Sequence, residues 1–318
     1  MKQFITFLLL NFLLLPLNTF SSNQEIDSLK YILSNSHEIE VRVKTYLKLS
    51  KVYQNINIDS STYLVKQAMI LAEQIDSEED IAEAHACFGD IATRQDSLIK
   101  AINEYEYTID YYRKTNNKGG LQGILVVYGN LFTVTSNYSE AMKAYLEVLK
   151  LSQENNKLEK IAIIYNNIGY LYFQQNNFSQ ALENYTKALS LFEGIKDTLN
   201  IAVSLGNVGS VYLRYNDFIT ARQYYMDSYN LYDLIGFDIG KSQTLVKLSD
   251  LHLINNNTDS AIYYNQKSLD LNKKNNPEYR GPGSIELVNI NIKFADIYLK
   301  RKEWNKAIDY SRISYRLA

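Results

Sequence analysis

The chain has a single cysteine, Cys87, so no internal disulfide can brace it and its stability has to come from packing. Three prolines and thirteen glycines in 318 residues are too few for long disordered linkers. Histidine is equally scarce. His37, His85 and His252 lie far apart, with no second histidine or cysteine at metal-ligand spacing, and no HExxH or GxSxG pattern occurs. GPGS at 281–284 lacks the lysine and the preceding strand of a phosphate loop and reads as a connector. The acidic run Glu78, Glu79 and Asp80 suits a helix start, where negative charge meets the dipole, better than it suits acid–base chemistry. No metal, cofactor or catalytic residue is therefore expected, and the chain is not expected to be an enzyme. Neither sign of charge dominates: 33 basic against 35 acidic residues, net -2, leave no basic footprint for nucleic acid.

A long apolar run, FITFLLLNFLLLPL, opens the chain behind Lys2 and is followed by Thr19, Phe20 and Ser21, whose small residues flank a cleavage point. Residues 1–21 read as a secretory signal peptide. The alternative is an uncleaved anchor, against which the short run and its interruption by Asn11 and Pro16 argue. Both readings place the remainder outside the cytoplasm, as an exported bacterial protein, periplasmic or secreted, touching a membrane only through this segment if it is retained. No cysteine follows the run to carry a lipid.

What the chain does have is tyrosine, 27 of them, and a repeat. Gly89, Gly129, Gly169 and Gly209 stand 40 apart, as do Ala101, Ala141, Ala181 and Ala221, and Tyr105, Tyr145, Tyr185 and Tyr225. The clearest copy is Tyr165–Glu193, with Tyr165, Ile168, Gly169, Tyr172, Ala181, Tyr185 and Ala188 at helical spacing. Gly169 and Ala181 fall where one helix must approach another closely, and the large residues fill the gaps beside that contact. This pattern resembles the tetratricopeptide repeat. A period of 40 also falls in the range of armadillo and HEAT units, and the Gly, Ala, Tyr spacing decides between them. The resemblance implies an all-α tetratricopeptide-repeat solenoid, a right-handed superhelix of antiparallel helix pairs. The residues beyond the usual period are expected to lengthen both helices, and Glu193, in place of the consensus proline, is expected to let the second helix run on.

The organisation expected is a leading capping helix and linker over 22–42, six repeats over 43–275, a Pro/Gly connector over 276–287 containing Pro277 and Pro282, and a seventh repeat over 288–318. Repeat six carries Ser249 for glycine and Asn265 for the aromatic residue. The connector is a hinge candidate or a tolerated surface insertion. The seventh repeat has no following helix, so a partner, self-association through that repeat or a longer natural product is expected. The turns SNYSEA, NNFSQA and NDFITA put polar residues before an aromatic, with Ser139 and Ser179 read as N-caps. Glycosylation triplets at Asn137, Asn177 and Asn256 are explained by the same turn chemistry.

In the tetratricopeptide family the first helices line a concave surface, which the resemblance carries onto Asp90, Asn130, Asn166, Asn167, Tyr170, Phe173, Asn207, Ser210 and Arg214 as peptide-binding candidates. Asparagine can bond both carbonyls and amides of an extended peptide, and the two aromatics could receive an apolar side chain. The alternative is that the aromatics are core between repeats. Lys44 and Lys51 have no basic pair two repeats later, so the family's carboxylate clamp is not reproduced. The function expected is an exported, non-enzymatic scaffold binding a peptide or protein. The alternative, from the resemblance of a signal segment with 40-residue copies, is the extracytoplasmic sensor part of a split or truncated signalling protein, a histidine kinase or helix-turn-helix regulator.

Overall fold

A computed structural model describes residues 19–54, 56–275 and 282–317. Fifteen helices and no strand are found among the described residues. They divide into two units, Met1–Asn155 and Asn156–Ala318. The first unit holds α1 (Thr19–Asn35), α2 (Ile39–Tyr53), α3 (Ile58–Gln74), α4 (Glu78–Arg94), α5 (Leu98–Lys114), α6 (Lys118–Val134) and α7 (Tyr138–Glu154). The second holds α8 (Leu158–Gln174), α9 (Phe178–Ile195), α10 (Thr198–Arg214), α11 (Phe218–Leu234), α12 (Asp238–Ile254), α13 (Thr258–Asn275), α14 (Pro282–Lys300) and α15 (Trp304–Leu317). Most of the residues of the signal-segment reading lie outside the described residues, as do 276–281 of the connector. Helix α14 opens with Pro282, a position where proline costs no hydrogen bond because the first helical amides have no partner within the helix.

The 40-residue unit is two helices, typically of 17 residues, separated by three-residue turns. The second helix of the clearest copy does run on, past Glu193 to Ile195. Ten successive turns, from the one after α3 to the one after α12, use one device. Each holds a residue of positive φ, at Asp76, Asp96, Asn116, Ser136, Asn156, Asn176, Lys196, Asn216, Gly236 and Asn256, twenty residues apart, and Lys302 repeats it between α14 and α15. Asn and Asp tolerate this left-handed conformation best after glycine, and it lets the next amide turn back on the helix it leaves, as in Asn177 N to Tyr172 O at 2.9 Å. The residue after it caps the following helix: the side chains of Asn117, Asp197 and Asp217 accept from Gly120, Asn200 and Thr220 amides at 2.9, 3.1 and 3.1 Å. This corrects the capping expectation. The N-caps are Asn137 and Asn177, and Ser139 and Ser179 lie inside the first turn, because the left-handed residue fixes where the next helix begins.

The repeated glycine has one reason in all four copies. A Cβ at Gly89, Gly129, Gly169 or Gly209 would stand 2.4, 2.6, 2.6 or 2.9 Å from the ring of Tyr105, Tyr145, Tyr185 or Tyr225, the tyrosine sixteen residues on. Those rings are at most 2% exposed, so each is an apolar plug laid across the bare backbone of its partner helix. Repeat six lacks both members of the pair. Ser249 Oγ donates instead to Ala261 O at 2.8 Å, and Asn265, fully buried, donates to Ile290 O at 2.9 Å.

In the first unit, Val43, Leu47, Val65, Ala84, Cys87 and Ile91 form one core, and Ile26 and Leu29 of α1 pack with Leu49 and Leu64. In the second, Ala181, Tyr185, Val208 and Val211 form the junction of the first two pairs, Ala221, Tyr225, Leu248 and Leu251 the next, and Leu269, Leu287, Ile290 and Phe294 the last. Successive first helices also touch one another directly here, α8 with α10, α10 with α12 and α12 with α14, which makes them the crowded side of this unit.

Candidate functional site

The sequence candidates on α8 and α10 come together in the second unit. Asn207 Nδ2 donates to Asn166 Oδ1 at 2.9 Å, joining adjacent first helices through half-buried amides. Asn167, one residue on, is 3% exposed and belongs to the core, since a one-residue step on a helix turns a side chain by about 100°. Tyr170 and Phe173 are half-buried and pack on the cluster containing Tyr185 and Val208. They therefore serve the junction between repeats while keeping part of their surface open. Arg214 is exposed and its guanidinium lies 5.6 Å above the Phe173 ring. Ser210 accepts from the Tyr225 hydroxyl at 3.2 Å and donates to Gly206 O at 2.8 Å.

The same register carries further than the sequence candidates do. Forty residues after Asn207 and Ser210 stand Lys247 and Asp250. Asp250 pairs with Lys293 of α14 at 2.9 Å. Burial pushes the Asp250 carboxyl up, and Lys293 opposes that rise. Lys247 is half-buried, with its Nζ 6.0 Å from the Tyr225 ring centroid, and burial brings its pKa down to about 8. Gln243 donates to Glu286 Oε1 at 2.8 Å, and burial raises the Glu286 carboxyl against that bond. Register extrapolation finds Lys247 and Asp250. Lys293 and Glu286 follow the slip after Leu271 and need the structure to be placed.

In the first unit Asp90 and Asn130 occupy the position equivalent to Ser210, and both take a tyrosine hydroxyl. Tyr105 donates to Asp90 at 2.8 Å and Tyr145 to Asn130 at 2.7 Å, with Thr93 and Thr133 beside the same hydroxyls at 3.3 and 3.1 Å. Burial raises the Asp90 carboxyl, while the Tyr105 hydrogen bond and the charges of Arg94 and Lys51 pull it back. The buried tyrosine is thus apolar at its ring, against glycine, and polar at its tip, on the candidate face.

Chemistry elsewhere is sparse. Among the described residues no group of three or more His, Cys, Asp or Glu is placed to hold a metal ion, and no helix is long and apolar enough to cross a membrane. His85 lies 2.6 Å from Glu104, and His252 stacks on Tyr264 at 5.2 Å. Cys87 is buried, which raises its thiol to about 12 and keeps it un-ionised.

The tetratricopeptide repeat model matches residues 121–194 and 160–234. No curated protein matches the chain. Among solved structures, a Rap protein complexed with competence and sporulation factor is similar at 14% identity, over 96% of this chain and 81% of that one, with TM-score 0.67. The Rap conjugation gene regulator of the plasmid pLS20, in complex with a Phr peptide, is similar at 15% identity over 86% of this chain and 75% of that one, with TM-score 0.60. A signal transduction ATPase with a tetratricopeptide repeat sensor, from Pyrococcus horikoshii, is similar at 15% identity over 98% of this chain and 51% of that one, with TM-score 0.59. The matched repeats, the helix pairs that carry them and the likeness of fold make this chain a tetratricopeptide-repeat protein, an all-α solenoid with a 40-residue unit.

Proposed function

We propose that the chain is an exported, non-enzymatic scaffold whose second unit holds an extended peptide or protein segment against its first-helix face. The observation that carries this reading is the Asn166–Asn207 pair. One hydrogen bond joins the two amides, and each amide retains donor and acceptor capacity with which to meet a peptide backbone. Tyr170 and Phe173 beside them offer partly open rings, and Arg214 supplies a charged rim. A Rap regulator of similar fold accommodates a Phr peptide, which supports the class of partner and leaves its identity open. Export rests on the apolar opening of the sequence alone. Self-association would use α15, where Ile308 and Tyr315 are exposed.

A second reading, a sensor component of a signalling protein, is favoured by the likeness over 98% of the chain to the protein with a tetratricopeptide repeat sensor. Both readings need a captured ligand, so one experiment serves first. An array of random acetylated nonapeptides is probed with the wild-type protein and with Asn166→Ala/Asn207→Ala. The bound peptides are expected to weaken at least tenfold for the double variant, with helicity and melting unchanged. Equal binding by both proteins would remove these asparagines from the site, and loss of folding would make them structural.

A further inference from the structure

Among the described residues, Lys247 is a half-buried cation on this face of the second unit that no acid pairs with, whereas the other unpaired cation, Arg214, is exposed. Lys247 has Asp250 one turn further along its own helix, the natural partner at i,i+3, but that carboxylate is held by Lys293 from α14. On α14, Glu286 is taken up by Gln243, and Asp296 lies on the Asp250 side, where its charge acts on that carboxyl. The Lys247 side chain instead crosses to α10 and comes to rest above Gly206, where a Cβ would stand 3.1 Å from Nζ, with the Tyr225 ring on its other side. Glycine is what gives the ammonium room there, and Asn207 follows it in the chain. Lys247 lies against Gly206 of α10 and the Tyr225 ring of α11, with Ser228 beside the same glycine; Asn207 and Ser210 follow Gly206 on α10, and the charged groups of the surrounding helices are Arg214 on α10, Asp250 on its own helix, and Lys293 and Asp296 on α14.

Resting on the peptide reading above, we propose that Lys247, lodged over Gly206, is an anion-accepting subsite that takes an acidic side chain of the captured segment, and that filling it draws a proton onto the lysine. A half-buried ammonium with no counter-ion is unfavourable, and an incoming carboxylate relieves the penalty by supplying the charge that Asp250 does not. Burial lowers Lys247 to about 8, so near pH 8 about half of the empty sites carry no proton on this amine, and a bound carboxylate restores it. Capture of acidic segments is therefore tightest below pH 8 and fades above it, while segments held through their backbone alone do not respond. Neutral Asn207 and Ser210 and the Asp250–Lys293 pair do not reverse this sign.

The test uses the same peptide array, anchored through the peptide C-termini so that every carboxylate comes from Asp or Glu. Wild-type protein, Lys247→Met and Lys247→Arg are compared at pH 7 and pH 9.5. Wild type at pH 7 is expected to select peptides enriched in Asp or Glu. Those peptides are expected to lose at least fivefold in binding to Lys247→Met, and to wild type at pH 9.5, while Asn and Gln analogues hold constant. Lys247→Arg is expected to retain acidic peptides at both pH values, because arginine stays charged throughout. Equal binding of acidic peptides by wild type and Lys247→Met, or a wild-type selection without acid enrichment, would overturn the subsite and leave the peptide reading standing. Failure of wild type to select any peptide would overturn both.

Discussion

Gly169→Ala inverts an ordinary rule of helix stability. In an exposed helix interior, Gly→Ala is stabilising by roughly 1 kcal/mol, because alanine loses less backbone freedom on folding. At Gly169 the added methyl would stand 2.6, 2.8 and 3.1 Å from three carbons of the Tyr185 ring. That ring is 2% exposed and confined by Ala181, Val208 and Val211, so it has nowhere to yield without disturbing the junction between two repeats. Overpacking of this kind costs about 1–3 kcal/mol, and, less the propensity gain, the net expectation is destabilisation by up to about 2 kcal/mol. Gly123, exposed within α6 with nothing within 4 Å of its added Cβ, is the internal control, and Gly123→Ala is expected to stabilise by about 0.5–1 kcal/mol. Urea unfolding followed by circular dichroism at 222 nm measures both. In a Tyr185→Leu background, which removes the ring, the cost of Gly169→Ala is expected to vanish. Stabilisation by Gly169→Ala, or the same cost with and without the ring, would refute the glycine–tyrosine account of the repeat.

Substitutions at three further positions probe other links. Lys247→Met is expected to raise stability at pH 7, by at most about 3.5 kcal/mol at about 1.4 kcal/mol per tenfold change in proton affinity between the ordinary 10.5 and about 8. The sign follows from a folded-state pKa below the unfolded one: the penalty is full below pH 8, shrinks as pH rises and is gone above the ordinary lysine value, so the melting curves of variant and wild type should converge by pH 11. Asn265→Ala leaves the Ile290 carbonyl without its buried donor and is expected to cost about 1–3 kcal/mol in urea unfolding. Asn176→Val places a β-branched residue at φ 57° and is expected to cost about 1–2 kcal/mol, whereas Asn176→Gly should be near neutral.

The repeat was legible because close packing dictates it. Only glycine leaves room for the ring sixteen residues on, so the Gly and Tyr registers had to advance together. The turns were legible in kind but not in position, since Asn, Asp and Ser suit the left-handed residue, the cap and the first turn alike, and only the backbone path distinguishes Asn177 from Ser179 as the cap. Among the candidate residues of α8 and α10, Asn166 and Asn207 meet, while Asn167 turns inward and Tyr170 and Phe173 also pack on the junction between repeats. The tyrosine hydroxyls that reach Asp90, Asn130 and Ser210 were hidden because the residue type announces burial of the ring and says nothing of where its tip emerges. Lys247 was hidden for another reason. Its meaning lies in the absence of a counter-ion, which depends on Lys293 claiming Asp250 across a register slip.

The central claim is that the first-helix face of the second unit, and no other surface, captures a segment. It is tested most directly by isothermal titration of the strongest array-selected peptide against three proteins: wild type, Asn207→Ala/Arg214→Ala, and the control Leu146→Ala at an exposed position of α7. Binding at least tenfold weaker for the face variant alone, with all three melting alike, is the predicted result. Undiminished binding by the face variant, or equal weakening by Leu146→Ala, would contradict it.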